Sequence, residues 1–246
     1  MRGLLVRIGA DQSKAGGGFN GSVNGTTNEF AYVPIPEDKE SKPGMEKPYA
    51  LVRPVLSRFG VSLPRLRQPN MHLDPDFEHL TYGDEGRRGG RIYKMWKERD
   101  GLDFLVFYAG LCDVNPNKER LVYAIVGFYM IDEIVQATEV PLSRCNENAH
   151  TRRARPGKDE IVVRAKREES GRLKRCVPIG CHRPGCDRPH GHASYRVIPD
   201  LLARWGGLSV SDGYLQRNAY IPEFKNAERF LQWFRQCGPG LDARNN

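Results

Sequence analysis

The stretch Met71-His72-Leu73-Asp74-Pro75-Asp76-Phe77 puts an imidazole and two carboxylates into five consecutive positions, 72–76. Pro75 restricts the backbone between the two acids, so their relative direction is fixed. Such a trio could activate a water, bind a metal ion, or stabilise positive charge developing on a sugar. A structural role fits the same residues. Asp74 would cap a short helix running through Phe77 and Leu80, with Pro75 at its first position.

The stretch Gly9 to Asn20 follows a short apolar run and contains Gly16-Gly17-Gly18. A glycine-rich loop after a strand lets backbone come close to a ligand. Asp11, Ser13 and Asn20 add carboxylate, hydroxyl and amide groups. The loop has neither the G-x-G-x-x-G spacing of a dinucleotide site nor the closing Gly-Lys-Ser/Thr of a Walker A loop. A plain flexible surface loop is the alternative.

Asn146-Glu147-Asn148-Ala149-His150-Thr151-Arg152-Arg153 is a third cluster. Asn148, His150, Arg152 and Arg153 could read phosphates and base edges. A solvated basic loop would look the same. Ser170-Gly171-Arg172 reads as a phosphate-binding turn or as a plain hairpin. The fourth cluster is Cys176-x4-Cys181-x4-Cys186-x3-His190-x-His192. Its density of thiols and imidazoles suggests a small zinc loop, with Cys181, Cys186, His190 and His192 as the four ligands. The spacing departs from the common C-x2-C of structural sites, so unligated thiols are the other reading. No pattern for an organic cofactor is present, which favours hydrolysis or simple binding.

The elements that would position these groups are legible in part. Residues 4–8 and 30–36 read as strands around the glycine-rich loop. Residues 37–48 read as loop, 49–59 as a helix interrupted by Pro54, and 60–91 as mostly loop ahead of the end of a short amphipathic helix at 92–98. The strongest core signal is the pair 102–109 and 121–135, rich in aromatic and β-branched residues. They read as two long antiparallel strands joined by a polar turn at 113–118. Residues 161–165 and 175–179 look like further strands, and 199–205 and 227–237 look helical. The pattern predicts one α+β domain over residues 1–246. A central, mostly antiparallel sheet carries flanking helices, long functional loops and a Cys/His-rich insertion at 176–192.

Thirty-eight Lys and Arg against 30 Asp and Glu give a net charge of +8. That excess favours a polyanionic partner, nucleic acid first. No stretch reaches the apolar length of a membrane span, and the N-terminus lacks a signal-peptide pattern. Six cysteines in a chain of 246 residues do not form a secreted disulfide framework,. The expected compartment is the cytoplasm.

Several of these segments together resemble the nucleotide modification associated domain, third type. They are the opening Leu5 to Asp11, the loop with Asn20, and Tyr32-Val33-Pro34-Ile35-Pro36-Glu37. His72 to Asp76, Asp103 to Gly110, Ile125 to Phe128 and Asn148-Ala149-His150 continue the pattern. Ser170 to Leu173, Pro178-Ile179, Trp205 to Leu208 and Asp212 to Arg217 complete it. The Cys181 to His192 stretch looks like an insertion foreign to that family. The two long strands also look, more weakly, like the F-Y-x-G…I-V-G pattern of PUA-like readers of modified bases. The resemblance implies a place among phage and bacterial systems that make, read or attack modified DNA bases. The expected partner is DNA, modified phage DNA in particular.

Within that setting the residues favour a DNA glycosylase that excises a bulky modified base, for example in antiviral defence. Asp11, His72, Asp74 and Asp76 are the candidate catalytic residues. Phe19 and Tyr108 would stack on a flipped base and Asn20 would read its edge. Asn148, His150, Ser170 and Arg172 would add nucleotide contacts, and Arg152, Arg153 and Arg217 would hold phosphates at the rim. A biosynthetic enzyme of base hypermodification and a non-catalytic reader of modified DNA are the alternatives.

Overall fold

The fold is built on two long strands, β6 (Phe104–Asp113) and β7 (Leu121–Gln136), paired antiparallel from Phe104↔Met130 to Cys112↔Leu121. The computed structural model describes residues 1–63, 68–115, 121–182, 195–215 and 221–246. The near-continuous apolar sequence of β6 predicts burial on both faces, and residues 104–111 are all buried,. One register shift, between Phe107 and Tyr108, marks a bulge, a common way to redirect a strand beside a site,.

Shorter strands extend this pair. β1 (Gly3–Arg7) and β2 (Gly21–Val23) both run parallel to β6, at residues 104–108 and 111–113. β5 (Thr81–Asp84) pairs antiparallel with β8 (Ile161–Ala165), which pairs with the far end of β7. β9 (Gly171–Pro178) pairs with β7, and β12 (Leu241–Asp242) with β9. The result is one eight-stranded, mostly antiparallel sheet, the α+β architecture the sequence predicts. Two small two-stranded antiparallel sheets stand apart: β3 (Ile35–Pro36) with β4 (Met71–His72), and β10 (Gly180–His182) with β11 (Tyr195–Val197).

The helices are short. α1 (Arg53–Arg58) carries Pro54 in its first turn rather than being interrupted by it, since proline is tolerated there,. α2 (Gly86–Lys97) occupies ground predicted as loop up to residue 91. Three glycines in its first five residues hide it from propensity,. Gly89 is required there, because a Cβ would sit 2.9 Å from the Asp84 carbonyl oxygen. α3 (Ala149–Arg152) is a single turn, and α4 (Pro199–Arg204) and α5 (Ala227–Gln236) fall where predicted. Of the predicted strand at 30–36, only Ile35–Pro36 is paired as a strand. Pro34 and Pro36 offer no N–H to a ladder. Among the described residues, no helix is long and apolar enough to cross a membrane.

α5 closes one end of the core. Phe230 and Phe234 stack on Phe104 and Phe128, with ring centroids 5.0–5.8 Å apart. Phe104 is fully buried and lies over Gly3, where any Cβ would come within 2.2 Å of its ring. Phe104→Ala should therefore cost about 3–5 kcal/mol in urea unfolding. Leu142→Ala, at a side chain 72% exposed, should stay within about 0.5 kcal/mol of the parent.

Candidate active site

A cleft of about 1240 Å³ opens where β1, β3, β4, β5 and α3 come together. Its floor is built from residues far apart in sequence. β4 supplies His72, the turn after it Asp74, and α3 His150; all three line the cleft. Their ligating atoms lie within 4.8 Å of one another. The two imidazole rings meet edge to face, centroids 5.0 Å apart.

Each imidazole is held from behind by a carboxylate. Pairing of Ile35 with His72 across β3 and β4 brings Glu37 to the ring, with Oε2 2.7 Å from His72 Nδ1. Glu160 Oε2 lies 3.1 Å from His150 Nδ1. Arg153 also lies 3.2 Å from that nitrogen, but it donates at shorter range to Glu85, 2.7 Å, and Glu160, 2.6 Å. An ionised glutamate can only accept, so Nδ1–H donating to Glu160 satisfies both groups. In each ring this leaves Nε2 for the cleft.

Asp74 is oriented as firmly. Its Oδ1 accepts from the Gly83 N–H at 2.7 Å and from the Asn148 amide at 2.8 Å. Oδ2 faces His150 Nε2 at 3.9 Å, beyond hydrogen-bond length,. Gly83 has to be glycine, because a Cβ would lie 2.1 Å from the His150 ring. Burial pushes the Asp74 carboxyl above its ordinary value, against the pull of His150 and His72. For Glu37 burial acts in the same sense, but the bond and charge of His72 outweigh it and the net shift is downward. Glu160 is likewise held well below the usual carboxylate range, burial being overcome by His150 and Arg153.

The glycine-rich loop forms one wall. Asp11 turns inward and closes the loop on itself. Its Oδ1 accepts from the Ser13 N–H at 2.8 Å and from the Ser13 hydroxyl, and Arg7 lies 3.6 Å from Oδ2. Gly17 and Gly18 have φ of +96° and +82°, and a Cβ at Gly16 would meet Asp11 Oδ1 at 1.9 Å. The glycines are thus required by the turn itself. Tyr108 also lines the cleft, as does Arg153. The lining also carries groups that no local spacing singled out: Tyr82, Asp84 and Arg88, linked by a 2.5 Å bond from the Tyr82 hydroxyl to Asp84 and a 3.1 Å pairing of Arg88 with Asp84.

Other expected site residues have different posts. Asp74 caps no helix; it follows β4 and bonds across to Gly83 and Asn148. Asp76 does not line the cleft. It is buried against Arg152 and His79, which together with Asn245 take its oxygens. Arg152 is correspondingly buried, so it cannot hold a phosphate at the rim. Arg153 is not at the rim either, because Glu85 and Glu160 hold it in the cleft wall.

Asn148 is fully buried and caps α3 through the His150 N–H, so it reads no base edge. Asn20 bonds the Gly110 carbonyl beneath the loop, and Phe19 packs on the core; neither lines the cleft. Ser170 bonds the Met130 backbone. Arg172 bonds the Arg244 and Leu173 carbonyls and lies over the Phe30 ring. Both belong to the β7–β9 seam rather than the cleft. Of the predicted zinc ligands, Cys181 lies in β10, while Cys186, His190 and His192 lie outside the described residues, as does Arg217. Cys176 is buried in β9, and burial raises its thiol to about 12.

The fold and cleft define an α+β domain with a buried His–Asp–His cluster on its cleft floor. The chain belongs to the family called nucleotide modification associated domain 3, whose profile matches residues 2–196. The cleft floor falls within that span, whereas α4, α5 and the motifs at 205–217 lie beyond it. No curated protein and no solved structure matches the chain.

If Arg152 is a buried counter-charge for Asp76, Arg152→Ala strands that carboxylate. The expected cost is about 3–5 kcal/mol of stability, read by thermal or denaturant unfolding. A phosphate-binding surface arginine would show almost no such loss.

Proposed function

We propose that this protein is a DNA glycosylase that hydrolyses the N-glycosidic bond of a bulky modified nucleotide. The observation that carries the reading is the set of His72, Asp74 and His150, buried but facing a cleft large enough for a flipped nucleotide,. Family membership supports a role in nucleotide modification.

The chemistry needs a water held against C1′ and negative charge near the sugar. His72, Asp74 and His150 hold that water on the cleft floor. Its oxygen bonds to C1′ and its proton passes to a basic group of the cleft. The C1′–N bond breaks with its electron pair going to the base, which takes up a proton and leaves. Tyr108 and Tyr82 are the aromatic residues of the cleft lining against which the base would pack,.

The cleft itself is not basic: Arg7, Lys14, Arg88 and Arg153 share it with Asp11, Asp38, Asp74, Asp84 and Glu85. The grip on the DNA backbone therefore lies outside it. α2 starts at the cleft wall with Arg88 and presents Arg87, Lys94 and Lys97 to solvent. These residues supply the phosphate contacts.

Two variants separate the roles when tested on DNA carrying bulky modified bases, with release of free base and of abasic sites as the readout. Asp74→Asn should lower excision about 10²–10⁴-fold while leaving DNA affinity nearly intact. The double variant Arg87→Glu, Lys94→Glu should weaken binding and flatten its salt dependence while the chemical step at saturation is unchanged. Tight binding without release of base by the parent protein would make it a reader and end the glycosylase reading.

A further inference from the structure

We propose that His72, Asp74 and His150 bind one divalent first-row transition metal ion, zinc or iron(II), on the cleft floor. The ion deepens the hydrolytic reading above by naming what holds the water, yet the site stands on its own geometry.

Four observations converge. First, the donors are those such ions prefer, two imidazoles and one carboxylate, with further positions open to the cleft. Second, their ligating atoms lie within 4.8 Å of one another. His150 Nε2 and Asp74 Oδ2, 3.9 Å apart, are too far for a hydrogen bond. Ligands about 2.1 Å from a shared ion fit that separation. Third, each imidazole has the partner that metal-binding histidines carry, a carboxylate on the other ring nitrogen: Glu37 for His72 and Glu160 for His150,. Fourth, Asp74 uses Oδ1 for two protein donors and keeps Oδ2 toward His150 Nε2.

The neighbouring set of Glu85, His150 and Glu160 has the same spacing but does not compete. Arg153 and Lys39 already neutralise both glutamates, at 2.6–3.3 Å. The thiol- and imidazole-rich segment around Cys181 to His192 is a separate candidate that the experiment must set aside.

The full chain is purified without chelator and its bound metal measured by elemental analysis. Apo protein is then titrated with zinc and, without oxygen, with iron(II). The expected result is close to one equivalent of a single ion, whose identity distinguishes the two metals. His72→Ala and His150→Ala should each lose it, and a Cys181→Ser, Cys186→Ser variant should retain it. Cobalt substitution should give ligand-field absorption without sulfur-to-cobalt charge transfer. Because the alanine variants could misfold, Glu37→Gln serves as a milder probe. It should weaken metal affinity about 10- to 100-fold with an unchanged circular dichroism spectrum. Metal that leaves with the cysteines and survives loss of the histidines overturns the proposal, as does folded parent protein that takes up neither ion. A metal-loaded protein that releases no base from DNA would overturn the glycosylase reading alone.

Discussion

A buried carboxylate must be paired, and this requirement organises everything around the cleft. Glu37, the pair Asp74 and Asp76, and Glu160 come from three separate stretches of chain, and each acid is held by at least one group from another part of the chain. Glu37 takes His72; Asp76 takes Arg152 and His79; Glu160 takes Arg153 and His150. Asp74 alone is satisfied chiefly by neutral donors, the Gly83 N–H and the Asn148 amide. These pairings tie β3 to β4, the turn after β4 to β5, and α3 to the approach to β8. The central sheet supplies the stiffness and the ion pairs supply the aim.

The difference between Asp74 and its neighbours is where structure becomes chemistry. Three of the four acids are neutralised by cations or imidazoles and serve the architecture. Asp74 lies at the edge of the cleft, beside two imidazoles each held from behind by its own carboxylate. An arrangement that raises a carboxyl's proton affinity without neutralising it costs stability, and such costs collect at functional sites.

How much of this was legible in the sequence depends on whether the signal was local. β6 and β7 announce themselves through runs of aromatic and β-branched residues, and α5 through its apolar face. α2 does not, because three of its first five residues are glycines, of which packing against Asp84 demands Gly89. His72, Asp74 and His150 stand out as reactive types in dense clusters. Glu37 and Glu160 could not, since Glu37 meets its histidine through strand pairing 35 residues away and Glu160 through a loop closure that no helical or strand spacing foretells. Arg152 and Arg153 show the limit most clearly. They are adjacent and identical in type, and both are buried. One neutralises Asp76 behind the cleft; the other lines the cleft against Glu85 and Glu160. Only the fold separates them.

The central claim is that Glu37 and Glu160 fix both imidazoles so that Nε2 faces Asp74. Long-range ¹H–¹⁵N correlation spectra of the metal-free protein, with histidine ring nitrogens labelled, measure this directly. His72 and His150, assigned through single substitutions, are both expected to be the Nδ1–H tautomer, with Nε2 bare. A proton on Nε2 of either ring would contradict it.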